Sequence, residues 1–266
     1  MSNLPELRVE IDKIDAKLVE LLNARAEVVL KVKEAKKAGS ISVYSPARER
    51  AILDRAVELS SGGAFPDKSL EVIFTEIVSA TRSLIGELKV AHLGEAGGPS
   101  YLASIKLFGE AVKVSNLPSI EEAFLGLEKE KSDFCVFPVQ SEKSGINWDL
   151  LKELQASSFF VIAEVSLDFS GEINRFFVVG RKEQTGSSLP KRDKTVLVSK
   201  VKADEGDIRS LAEGKNISIS QMATRDDGSV FLEVNSHVTT SEFKDLESKL
   251  SNDLGFVTIG CFPGVS

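Results

Sequence analysis

Residues 4–39 read LPELRVEIDKIDAKLVELLNARAEVVLKVKEAKKAG, and the spacing inside that stretch decides the architecture of the N-terminal third. From Arg8 a 3-4 series runs Arg8, Ile11, Asp15, Leu18, Leu22, Arg25, Val29, Val32, Lys36. Such spacing puts every one of these side chains on one stripe of an α-helix. Apolar members predict a buried stripe, yet Arg8, Arg25 and Lys36 are cations and only Asp15 is acidic. An unpaired guanidinium in a packed interior is costly, so a buried cation needs a counter-charge. Asp15 can serve one of the three, and the rest await an anion. Pro5 suits the first turn and Gly39 the C-terminal cap. A helix between them is about 50 Å long, more than the remaining helices of one chain can cover. A partner subunit is the expected cover.

At 266 residues the chain can hold two or three domains. Hydrophobic content of 42% and charged content of 27% are ordinary for a soluble globular protein. The net charge of -7 is spread rather than blocked, which argues against a nucleic-acid or membrane-surface partner. There is no basic-then-apolar leader and no apolar run of membrane-spanning length. Cys135 and Cys261 lack metal-type spacing, so neither a disulfide framework nor a zinc site is expected. His92 and His237 read as structural histidines. The expectation is a cytoplasmic protein without metal or cofactor.

Ser45-Pro46 reads as the N-cap and first residue of a second helix through about Leu59. After the Gly/Ser-rich break at residues 60–66, a third helix is expected from Asp67 to about Gly86, with Leu70, Ile73, Phe74, Ile77, Thr81 and Leu84 on its inner face. The periodicity then changes. Strands are expected at residues 88–93, 112–115, 134–139, 159–167 and 175–180, with helical stretches after Pro99 and at 119–130. That alternation predicts a mostly parallel sheet with helices packed on it. The polar stretch around Gly186 and Pro190 reads as a linker. Strand, helix, strand, strand, helix, strand over residues 195–261 is the βαββαβ, ferredoxin-like order, with Asp226-Asp227-Gly228 as its hairpin turn.

Arg48 and Glu49 fall in the first turn of the second helix, where an arginine opposes the helix dipole. Arg48 close to Arg25 and Lys36, with Arg8 from a partner chain, would make a pocket of convergent cations suited to a small polycarboxylate. Arg8-x16-Arg25-x10-Lys36, then Tyr44-Ser45-Pro46-Ala47-Arg48-Glu49, then Ile77 to Leu84 (IVSATRSL) resembles the all-helical chorismate mutases over residues 4–86. The resemblance implies an intertwined helical homodimer that converts chorismate to prephenate, with Arg8 reaching into the partner's site. It implies that Arg8, Arg25 and Arg48 hold the substrate carboxylates, that Lys36 donates to the ether oxygen, and that Glu49 accepts from the ring hydroxyl. Ser45, Thr81 and Ile85 would line the substrate. The family often has aspartate at Ser45, serine at Thr81, and glutamine or glutamate at Ile85. Loss of one donor to the ether oxygen costs roughly 10²–10³ in rate, leaving Lys36 to serve it alone. A pericyclic reaction needs no nucleophile or metal, only orientation and well-placed positive charge.

Residues 88–182 are similar to the first lobe of prephenate dehydratases, from His92-Leu93-Gly94 through Ser100-Tyr101-Leu102-Ala103. Val136-Phe137-Pro138-Val139-Gln140-Ser141 replaces the family's Val-Val-Pro-Ile-Glu-Asn, and Asn174-Arg175-Phe176 replaces Thr-Arg-Phe, whose threonine is catalytic. A second lobe is absent between Phe169 and Glu172, so no dehydratase activity is expected. Residues 194–266 resemble the phenylalanine-binding ACT domain, with Gly206, Asn216 and Arg225 as candidate effector residues. The other reading of that domain is a dimerisation module.

The expected plan is multidomain: a helical segment over residues 1–87, an α/β lobe over 88–182, a linker over 183–193 and a ferredoxin-like unit over 194–266. The expected function is a chorismate mutase whose dehydratase part is lost. The alternatives are a non-catalytic protein that binds chorismate, prephenate or an aromatic amino acid, and a structural partner of another enzyme.

Overall fold

The computed structural model describes residues 3–36, 43–181 and 193–264. Helix α1 (Leu4–Lys36) is unbroken, as a stretch without internal glycine permits; Gly39, the expected cap, lies outside the described residues. Ser45 caps α2 (Pro46–Ser60), its Oγ accepting from the Arg48 amide at 3.4 Å. Helix α3 (Asp67–Ser83) stops short of Gly86. The amides of Ile85 and Gly86 both turn back to the Arg82 carbonyl, at 2.9 and 3.3 Å, which ends the helical ladder.

The buried side of α3 matches the expected one only in part, at Thr81 and the half-buried Leu70, Phe74 and Ile77. Val78, Ser79, Thr81 and Arg82 are buried, whereas Ile73 and Leu84 are 43% and 39% exposed. The reason is the neighbour: α3 turns Ser79 and Arg82 onto the α/β lobe. The Ser79 hydroxyl accepts from the Ala111 amide at 3.2 Å, and Glu76 accepts from the Glu110 amide at 3.1 Å. Gly109, at φ +74, fits there because a Cβ would fall 2.4 Å from Ser79 Cβ. Along α1, the stripe expected to be buried is largely open in the single chain, with Ile11 55% and Leu18 53% exposed.

The lobe runs β1 (Lys89–Leu93), α4 (Pro99–Phe108), β2 (Lys113–Leu117), α5 (Ile120–Glu128), β3 (Phe134–Ser141), β4 (Gly145–Ile146), α6 (Trp148–Ala156), β5 (Phe159–Phe169) and β6 (Glu172–Arg181). Strand β1 pairs in parallel with β2 and β3, but β6 is antiparallel to both β3 and β5. The sheet is therefore mixed rather than mostly parallel. Ser170 and Gly171, both left-handed at φ 57 and 76, make a two-residue hairpin turn between β5 and β6. So short a link enforces antiparallel pairing. The expectations did not include β4 and α6.

The rest comprises β7 (Asp193–Ser199), α7 (Glu205–Glu213), β8 (Ile219–Thr224), β9 (Val230–Val234), α8 (Ser241–Leu254) and β10 (Phe256–Pro263). Most of the expected linker lies outside the described residues, and Asp193 already belongs to β7. The strands pair antiparallel in the order β10-β7-β9-β8. They do not form a separate sheet. Strand β10 also lies parallel to β5, Gly260 opposite Val161, giving one path β2-β1-β3-β6-β5-β10-β7-β9-β8. A Cβ on Gly260 would stand 2.5 Å from Val161 Cβ, so only glycine lets the strands meet.

Each sheet face has its own core. Phe124, Phe137, Leu150 and Phe177 fill one side, Tyr44, Phe108, Phe134 and Val178 the other, and Phe243, Leu246 and Leu250 pack α8 on the C-terminal strands. Each fully buried side chain of this kind contributes about 1.5–3 kcal/mol. Among the described residues no helix is long and apolar enough to cross a membrane.

Candidate active site

Arg25 sits two-thirds of the way along α1, where that helix meets α3. Its Nη1 donates to the Thr81 hydroxyl and to the Ile77 carbonyl, the latter at 3.4 Å. Partial burial pushes this guanidinium below its ordinary value, and the charge of Arg48 pushes the same way, against the opposing pull of Glu49. Arg48, in the first turn of α2, is exposed and acts on Arg25 as a like charge.

Glu49 is the acid beside them, and it is already engaged. Burial raises its pKa, while the charge and hydrogen bond of Arg82, then the charge of Arg25, work against that rise. Arg82 Nη1 stands 2.5 Å from Glu49 Oε1. The same guanidinium donates to the Phe108 carbonyl and lies over the Tyr44 ring at 5.6 Å. One Glu49 oxygen is thus fixed by Arg82, and no donor among the described residues is bonded to Oε2.

The remaining expected residues are distributed as follows. The Ser45 hydroxyl serves as the α2 cap. Lys36 closes α1, but its side chain lies outside the described residues. Arg8 is exposed and precedes Arg25 by about 25 Å along the helix axis, so a chain cannot bring its own Arg8 to its own Arg25. Ile85 is half-buried in the turn after α3 rather than on the helix. The structure thus unites Arg25, Arg48, Glu49 and Thr81.

Two residues were missed. Lys33 Nζ donates to the Leu84 carbonyl at 2.7 Å; its 4-4 spacing from Arg25 through Val29 is the signal that could have found it. Arg82 stood next to Thr81 without a role. A glutamate expected to be buried needs a cation, and that requirement could have pointed to it.

In the lobe, Gln140, Ser141 and Asn174 line a cavity of about 460 Å³ together with Trp148 and Arg225. Arg175 is turned away from it. Its guanidinium donates to Glu164 and Glu233, and its Nη1 to Gln221 at 2.8 Å. Lys194 closes the cluster at 2.7 Å from Glu164 and 3.0 Å from Glu233. Of the candidate effector residues, Gly206 lies in the first turn of α7, Asn216 in the turn past its end, and Arg225 faces the lobe. Cys135 and Cys261 are buried free thiols. Among the described residues no group of three His, Cys, Asp or Glu side chains could hold a metal.

Two like-charged arginines, one of them exposed, with a hydroxyl and a half-buried carboxylate beside them, can attract an anion and accept a hydrogen bond from a hydroxyl. A family model for chorismate mutase type II matches residues 7–85, and one for prephenate dehydratase matches residues 90–184. The bifunctional chorismate mutase/prephenate dehydratase of Aquifex aeolicus is 34% identical over 149 residues, 55% of this chain and 41% of that protein. Its counterpart in Neisseria gonorrhoeae is 34% identical over 160 residues, 60% of this chain and 43% of that protein. The chain thus spans less than half the length of these relatives. Prephenate dehydratase from Streptococcus mutans superposes with a TM-score of 0.55 at 16% identity, covering 67% of this chain and 100% of that one, a likeness of fold alone.

Proposed function

This chain belongs to the chorismate mutase/prephenate dehydratase family, and from that premise we propose that it is a chorismate mutase without dehydratase activity. The observation that carries the reading is the Arg25–Arg48 pair. Arg25 is partly buried against Thr81 and feels the like charge of the exposed Arg48, while Glu49 beside them is held by Arg82. Such a field favours a dicarboxylate, and bidentate arginine contacts would orient it as well as neutralise it. Chorismate carries two carboxylates. Folding it into a chair-like shape needs their two ends fixed, and charge gathering on the breaking ether oxygen needs a cation. Lys36 is the group assigned to that oxygen, Glu49 Oε2 the acceptor for the ring hydroxyl, and Thr81 a positioning neighbour of Arg25.

Arg8 is assigned to the same recess in a second copy. The open apolar stripe of α1 supports a homodimer, since a surface with Ile11 55%, Leu18 53% and Leu22 41% exposed is a protein-binding surface by its chemistry. The C-terminal unit we read as ACT-like and as an assembly element. A cytoplasmic location is the corresponding proposal.

Loss of dehydratase activity rests on two features. Arg175 is neutralised by the protein's own Glu164 and Glu233, and the β5–β6 link is two residues long, leaving no second wall to exclude water from a substrate. The second reading, a binding protein that senses chorismate or prephenate without turning it over, is favoured by Ile85 alone. A continuous assay of chorismate consumption separates the two. Turnover abolished by Arg25→Ala supports the mutase; tight chorismate binding without turnover selects the sensor; unchanged turnover in Arg25→Ala overturns the site. Incubation with prephenate should yield no phenylpyruvate.

A further inference from the structure

A second cavity, of about 480 Å³, lies between the helical segment and the α/β lobe. Its apolar walls come from Leu53 of α2, Val78 of α3, Ile105 and Leu107 of α4, Val165 of β5, and Pro263. That volume lies within the range of small-molecule sites, which favour domain interfaces. The charges around it are uneven. Glu49, Glu71, Glu76 and Glu164 face Arg50 and Lys106. Arg50 is answered by Asp54 at 2.7 Å, and Lys106 donates to the Ser166 carbonyl at 2.7 Å, which fixes its position without cancelling its charge. Glu49 and Glu164 are answered by Arg82 and by the Arg175–Lys194 pair. Glu71 is different. Among the described residues its ion pair is to Arg50, long at 3.8 Å, and its side chain is 42% exposed at the rim. Glu76, beside it on α3, uses one oxygen on the Glu110 amide.

An anionic guest would meet surplus carboxylate there, whereas a cationic head would add the charge the rim lacks. We propose that this interdomain cavity is a binding site for a compact apolar amine, its ring-sized body among Leu53, Ile105, Leu107 and Val165 and its ammonium at Glu71. Occupancy would touch both Glu49, on the recess side of α2, and Glu164, on the C-terminal side of the lobe. Whether it tunes turnover rests on the mutase reading; whether it occurs does not.

The test uses calorimetric titration and thermal unfolding of the full chain. The probes are 2-phenylethylamine and 3-phenylpropionate, similar in size and opposite in charge. The amine should bind and raise Tm, and the acid should do neither. Glu71→Gln should weaken amine binding about fivefold, the weight of one partly exposed charge pair. Ala163→Phe, which fills the floor, should abolish it. If Ala163→Phe fails to fold, Glu71→Gln decides, since it changes only a rim side chain. No amine binding, equal binding of both probes, or amine binding unchanged by Glu71→Gln would overturn the proposal.

Discussion

Glu49 on α2 and Arg82 on α3 form an ion pair at 2.5 Å, and Arg82 carries that link onward to the Phe108 carbonyl of α4. A buried acid of the recess is thereby tied to the lobe. Removing the arginine alone strands a buried carboxylate, the expensive half of the exchange. Arg82→Met should cost about 3 kcal/mol, read as a lowered midpoint of urea unfolding. The double variant Arg82→Met/Glu49→Leu should recover most of that loss. If the single variant is as stable as wild type, the pair does not hold the segments together.

Arg8 and Arg25 are too far apart on one helix to share a site within a chain. Arg8→Ala and Arg25→Ala should each be inactive. Mixing the two, with subunit exchange, should restore about a quarter of wild-type chorismate turnover, because half the dimers are hybrids with one intact site each. A mixture as dead as its parts would remove Arg8 from the partner's recess.

Ile85 stands where a donor to the ether oxygen is expected. Ile85→Gln should raise kcat by roughly tenfold, less than the full value of one such donor, because the residue lies in a turn rather than on α3. An unchanged kcat with unchanged KM would mean that the oxygen is served from elsewhere.

Burial alone would raise the Glu233 pKa, but the charge and hydrogen bond of Arg175, then Lys194 and Ser220, outweigh it and leave it below the ordinary value. A lowered carboxylate contributes stability that is complete above its unfolded value and lost as pH falls through its folded one. Between about pH 5 and about pH 3 wild type should therefore lose stability more steeply than Glu233→Gln. Parallel curves in urea melts across that range would show the cluster adds nothing to the acid limb.

Much of this was legible in the residues. Ser45-Pro46 gave the start of α2 because a cap and a first-turn proline act locally. The run of strands and helices followed from changes of period. What stayed hidden was long-range. No local signal tells Arg82 that Phe108 will be beside it, or that α3 will bury Ser79 rather than Ile73. The antiparallel course of β6 follows from Ser170-Gly171, a link too short for a parallel crossover. The joining of β5 to β10 depends on one missing methyl group, at Gly260, which no pattern of hydrophobicity marks. The Arg25–Thr81 bond joins two residues on different helices, which the spacing within either helix does not reveal.

The junction at Gly260 has a mechanical side. With the sheet continuing from β2 to β8 through the Gly260–Val161 pair, the C-terminal strands are held to the lobe by backbone pairing and not by a tether alone. A push on one end of that ribbon is delivered as twist to the other, and the helices resting on it must ride along.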